Sequence, residues 1–152
     1  MFILCLLPLE AELGLSQIDA KISLTSEAST GGEFEVAADS IHGEIELKFT
    51  DTPVDSVLRC QAGTIAGGVR VELDTAFEGT YSLQSMLGKK LVSQRDAEDP
   101  AGKGRHRVVS LNETRGRAEG EIKWVEPESH ESSSGDGYVI LKALTPSVEL
   151  VI

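Results

Sequence analysis

The feature that most constrains this chain is a short pattern that recurs along it. A glycine is followed by one residue and then by a run that alternates apolar with polar. It appears as Gly32-Glu33-Phe34-Glu35-Val36, as Gly43-Glu44-Ile45-Glu46-Leu47, and as Gly67-Gly68-Val69-Arg70-Val71-Glu72-Leu73. It returns as Gly79-Thr80-Tyr81-Ser82-Leu83, Gly120-Glu121-Ile122-Lys123-Trp124 and Gly137-Tyr138-Val139-Ile140-Leu141. Successive side chains of a β-strand point to opposite faces, so this alternation is the signature of a strand with one buried face. Glycine suits the corner before such a strand because it takes positive φ without a steric penalty. Gly137 to Leu141 is apolar on both faces and reads as a central or doubly covered strand.

The six glycines are separated by 11, 24, 12, 41 and 17 residues. The first three intervals are one, two and one units of about 12, the length of a strand plus a tight corner. The interval of 41 holds a charged, turn-rich insertion around Gln94 to His106. The interval of 17 holds a polar loop, Glu128-Ser129-His130-Glu131-Ser132-Ser133-Ser134-Gly135-Asp136. Further strands are expected at Ile18–Leu24, Arg107–Leu111 and Ser147–Ile152, and only Ser85 to Arg95 has spacing that would make a short helical turn. The expectation is therefore a single all-β domain over residues 1–152, with residues 1–17 as a leading strand or cap, a basic loop insertion at 94–107 and a polar loop at 126–137. Two architectures fit: a β-solenoid or β-roll, in which stacked coils align aliphatic ladders, and an antiparallel β-sandwich. The low aromatic content, 5%, leans toward ladders.

Composition bounds the partners. The 152 residues carry 14 Lys and Arg against 25 Asp and Glu, a net charge of −11. Such a chain repels phosphate backbones, which argues against nucleic acid. The leading run Met1-Phe2-Ile3-Leu4-Cys5-Leu6-Leu7-Pro8-Leu9 has no basic residue before Lys21. It reads as a strand rather than a signal peptide, which gives a slight preference for an intracellular protein. It also falls short of the roughly 20 apolar residues that span a bilayer. Cys5 and Cys60 lack Cys-x-x-Cys spacing and read as reduced, buried thiols. Asn112-Glu113-Thr114 matches a glycosylation acceptor pattern.

The charge is unevenly spread. Residues 89–117 hold eight basic residues against four acidic ones, so this segment is +4 and the rest of the chain −15. A basic element on an acidic body would attract anionic groups, and Gly102 and Gly104 would let backbone N–H groups approach an anion. The candidate binding residues are Lys103, Arg105, His106, Arg107, Arg115 and Arg117; the competing reading is a loop that pairs with nearby acids. No catalytic constellation emerges. There is no Gly-x-Ser-x-Gly elbow, Gly104 stands where a phosphate loop needs Ser or Thr after Gly-Lys, and His42, His106 and His130 lack metal-ligand spacing. The outward pairs Glu33 with Glu35, Glu44 with Glu46, and Glu72 with Asp74 read as a solubilising face. A glycosidase pair or calcium ligands are the sharper readings of the same residues. No cofactor or metal is expected. Trp124 follows the alternation of Ile122 and reads as core rather than as a sugar platform; Tyr81 and Tyr138 are the other aromatic candidates.

Ala76-Phe77-Glu78-Gly79-Thr80-Tyr81-Ser82-Leu83, Asp99-Pro100-Ala101-Gly102-Lys103-Gly104-Arg105-His106-Arg107-Val108-Val109 and Gly120-Glu121-Ile122-Lys123-Trp124 together resemble a set of segments in fungal proteins of unknown function. Those proteins occur in mushroom-forming fungi and are related to adhesin-like β-repeat domains. The resemblance covers about residues 30 to 152, and its most specific part is the Asp-Pro-x-Gly-x-Gly-Arg insertion. It implies a repeat-built all-β fold with no established enzymatic activity. The function expected is a non-enzymatic, adhesin-like interaction domain that presents sheet faces and the basic loop to a protein or glycan surface, with homo-oligomers through exposed edge strands such as Ser147–Ile152. A lectin-like carbohydrate-binding module is the second expectation.

Overall fold

The computed structural model describes residues 3–4, 17–26, 31–127, 135–145 and 147–152. Cys5, His130, most of the leading segment and most of the 126–137 loop lie outside the described residues. The chain is all-β, with no helix among the described residues and none long and apolar enough to cross a membrane. The first strands are β1 (Ile3–Leu4), β2 (Ile18–Ser23), β3 (Glu33–His42), β4 (Ile45–Asp51), β5 (Val57–Ala66) and β6 (Val69–Glu72). There follow β7 (Gly79–Ser85), β8 (Lys89–Ser93), β9 (His106–Val109), β10 (Asn112–Thr114), β11 (Arg117–Val125), β12 (Gly137–Thr145) and β13 (Ser147–Val151).

The strands form two sheets that do not close into a barrel. One has the order β1-β3-β5-β12-β7-β11-β10, with β9 also on β11; the other has the order β2-β4-β6-β13-β8. From β2 to β8 the chain changes sheet at every strand, and these strands pair in parallel with their neighbours except where β7 meets β11, which is antiparallel, as are the pairings of β9 and β10 with β11. In-register parallel pairing stacks like on like. One sheet aligns Val36, Cys60, Val139 and Tyr81 in one inward ladder and Ala38, Ala62, Leu141 and Leu83 in the next. The other aligns Leu47, Val71, Leu150 and Val92. These side chains meet in one buried cluster, and each fully buried aliphatic contributes about 1.5–3 kcal/mol.

The recurrent glycines mark the corners, with one exception. Gly43 and Gly67, 24 residues apart in sequence, occupy the same corner on successive levels. At Gly67, φ is 149° and a Cβ would lie 1.9 Å from the Gly43 carbonyl oxygen. Gly120 is no corner; it lies inside β11. A Cβ there would lie 1.9 Å from the Ser110 carbonyl oxygen, and beside it the Tyr81 hydroxyl donates to that same oxygen at 2.5 Å.

Two expectations are overturned. Ser85–Arg95 makes no helical turn: Lys89–Ser93 is a strand paired in parallel with β13. Ser147–Ile152 is no exposed edge. The pair β12–β13 is inserted between strands in both sheets, with β5 and β6 on one side and β7 and β8 on the other. Val139, Leu141, Val148 and Leu150 have no solvent exposure. Their apolar character satisfies two neighbours at once, which an edge position would waste. The free edges of the second sheet are β2 and β8.

Candidate functional site

The Asp99–Arg105 loop turns its backbone donors inward. The Asp99 carboxylate accepts from the N–H groups of Ala101 (3.0 Å), Lys103 (2.8 Å) and Arg105 (3.1 Å). It also accepts from Arg105 Nε at 3.2 Å and Nη2 at 2.9 Å. Gly102 and Gly104, both at positive φ, fold the loop back on its own acid. The anion that this loop cradles is therefore Asp99. The Arg105 guanidinium first, then these N–H groups, hold the Asp99 carboxyl well below the usual carboxylate range. Arg105 reaches Glu78 at 3.4 Å, and Glu78 accepts the Trp124 N–H at 3.0 Å. The Arg105 and Arg107 guanidinium carbons each stand 5.9 Å from the Trp124 ring centroid, a cation–π arrangement. Trp124 itself is buried and donates its indole N–H to the Thr75 carbonyl at 3.0 Å.

The six candidate residues thus part into three places. Arg105 and Arg107 are fixtures over Trp124, and Arg107 also donates to the Arg95 carbonyl. Lys103 and His106 are exposed on the loop. Arg115 and Arg117 sit at the β10–β11 turn, eight residues along β11 from Val125, or about 26 Å of strand. In each outward carboxylate pair one member is held in an ion pair. Arg59 holds Glu33 at 3.2 Å, Arg70 bridges Glu46 (3.7 Å) and Glu149 (2.9 Å), and Glu72 holds Lys48 (2.6 Å) and Arg95 (2.8 Å). Lys48, with Arg95 after it, pulls the Glu72 carboxyl below its ordinary range. Burial pushes the Cys60 thiol up to about 12, which leaves it protonated and unreactive.

Arg115 and Arg117 lead to a concavity of about 830 Å³ on the outer face of the larger sheet. Its floor follows from the parallel register. The pairs Ser40–Thr64 and His42–Ala66 set Ile41 level with Ile65. The pairs Ala143–Thr64 and Thr145–Ala66 set Leu144 beside Ile65 on the other side, and Met86 follows Ser85, the partner of Ala143. Four apolar side chains from four strand ends thus stand in one outward row. They are exposed: Ile41 by 56%, Ile65 by 54%, Leu144 by 41% and Met86 by 77%. Two residues back along the strands runs a second outward row, Asp39, Gly63, Lys142, Gln84 and Arg117. Gly63 carries no side chain in that row, and the Asp39 carboxylate takes the space: a Cβ at Gly63 would come within 2.9 Å of Asp39 Oδ1. Arg115 and Gly116 wall the far end. Arg117 is anchored to Ser82 Oγ at 3.2 Å and paired with Glu119 at 2.8 Å.

Sequence reasoning found two cations of this groove, Arg115 and Arg117, and missed the third, Lys142, and the floor. Each apolar member is a lone outward residue in a different segment, and only the 24-residue separation of Ile41 and Ile65 hinted that they share a row. Comparison with family models, with curated proteins and with solved structures gives no match. The likeness to fungal adhesin-like domains rests on the quoted motifs alone.

Proposed function

We propose that this chain is a non-enzymatic interaction domain built as a roll of stacked parallel coils, and that it binds a segment of a partner protein in the groove over Ile41, Ile65, Leu144 and Met86. The observation that carries the reading is the exposed apolar row with cations at its margin. Scattered exposed apolar residues are ordinary, whereas a contiguous set rimmed by polar groups marks an interaction surface. The sheet supplies the row on an ordered backbone, because the register fixes where Ile41, Ile65 and Leu144 stand before a partner arrives, and this lowers the cost of binding. The basic loop takes a different role from the one its charge invites: Arg105 is spent on Asp99, Glu78 and Trp124. Enclosure of Trp124 and Tyr81 leaves Tyr138 as the remaining stacking surface for a sugar, so a protein partner is favoured over a glycan.

The test is selection of random displayed peptides against the wild-type chain, with counter-selection on an Ile65→Asp, Leu144→Asp variant whose fold is checked by circular dichroism. Enriched peptides should bind the wild type and lose at least tenfold in affinity for the variant. Peptides that bind both proteins equally would place the docking surface elsewhere.

A further inference from the structure

Resting on the groove reading, we infer that the segment it takes is an amphipathic α-helix with an acidic flank. The first argument is spacing. Ile41, Ile65 and Leu144 come from adjacent parallel strands, so the row advances by about 4.8 Å per step. A helix laid along the row offers apolar residues at i, i+4 and i+7, one per turn of about 5.4 Å. It stays in step across the three residues with a slip of about 1 Å. An extended segment repeats on one face every 6.6–6.8 Å and is out of step by about 2 Å at each residue.

The second argument is charge. Lys142 and Arg115 line the groove and form no ion pair or side-chain hydrogen bond among the described residues. Arg117 adds a third cation, partly neutralised by Glu119, and Asp39 is the one acid in the lining. Outside residues 89–117 the chain carries a net charge of −15. A carboxylate-bearing helix would be repelled by most of the molecule and accepted at this corner, which is specificity obtained from repulsion as well as attraction.

Three 18-residue helical peptides with the same leucine stripe, carrying Glu, Gln or Lys on the flank, would be titrated into the full chain by fluorescence anisotropy. The Glu peptide should bind at least tenfold tighter than the Lys peptide, and Arg115→Glu with Lys142→Glu should reverse the order. Equal affinities, or preference for Lys, would overturn the acidic flank while leaving the groove standing. Binding of none of the three, with the displayed-peptide selection yielding proline-containing extended sequences, would overturn the helix alone. A dimer of the chain abolished by Leu144→Asp would assign the groove to a second copy, and binding to phosphatidylserine vesicles without any peptide binding would assign it to a membrane surface; either result would overturn the inference.

Discussion

At the scale of the residue, Asp99 shows how a charge that looks available is already committed. Five donor groups of its own loop converge on it. Its folded pKa lies below the value near 3.9 of an unpaired aspartate. The stability it contributes is therefore complete above about pH 4 and is lost as the pH falls toward the folded value. Asp99→Asn should lower the urea midpoint at pH 7 and shrink the further loss between pH 5 and pH 2.5. A wild-type midpoint that does not fall in that acid range, or an unchanged acid slope in the variant, would show that the pair with Arg105 adds nothing. The surface pairs such as Arg70 with Glu46 are exposed and are worth about 0.2–1 kcal/mol each.

At the scale of the element, the pair β12–β13 holds the two parts of the molecule together. Among the strand pairings, those of β12 and β13 join the β2–β6 portion to the β7–β11 portion. Leu150→Ala should cost about 2–5 kcal/mol, as expected for a fully buried leucine. Leu91→Ala, on the free-edge strand β8 and 48% exposed, should stay within about 0.5 kcal/mol. Chemical denaturation of both variants compares them directly, and similar losses would mean that β13 is not enclosed. The same element shows what was legible in the residues. Gly137–Leu141 is apolar on both faces and is central. Nothing local encodes that β12–β13 returns between two pairs formed much earlier in the chain, because stacking order is set by which ladders match. β5 escaped because its corner has no glycine: Asp55 takes the positive φ of 60° there, 24 residues after Gly31 at 68°, and aspartate tolerates that conformation better than most residues. β8 escaped because Lys90 holds an inward position beside Val148. Its stem lies along the core while its ammonium reaches Glu113 at 3.8 Å, and this breaks the alternation.

At the scale of the whole molecule, the −15 and +4 portions describe a surface with one receptive corner. Two cations of that corner were visible in the basic segment, but charge alone could not separate Arg115 and Arg117 from Arg105 and Arg107, and Lys142 lies outside that segment. Only the register does so, by bringing Ile41, Ile65, Leu144 and Met86 beside the first two and Trp124 beneath the others. The most direct measurement is methyl NMR of the full chain, labelled at Ile, Leu and Met, titrated with the tightest peptide from the displayed-peptide selection. The methyls of Ile41, Ile65, Leu144 and Met86 should shift together at one affinity, while those of Leu83 and Ile122 in the core stay in place. Groove methyls that do not move while amides of the Lys103–Arg107 loop do would contradict the account.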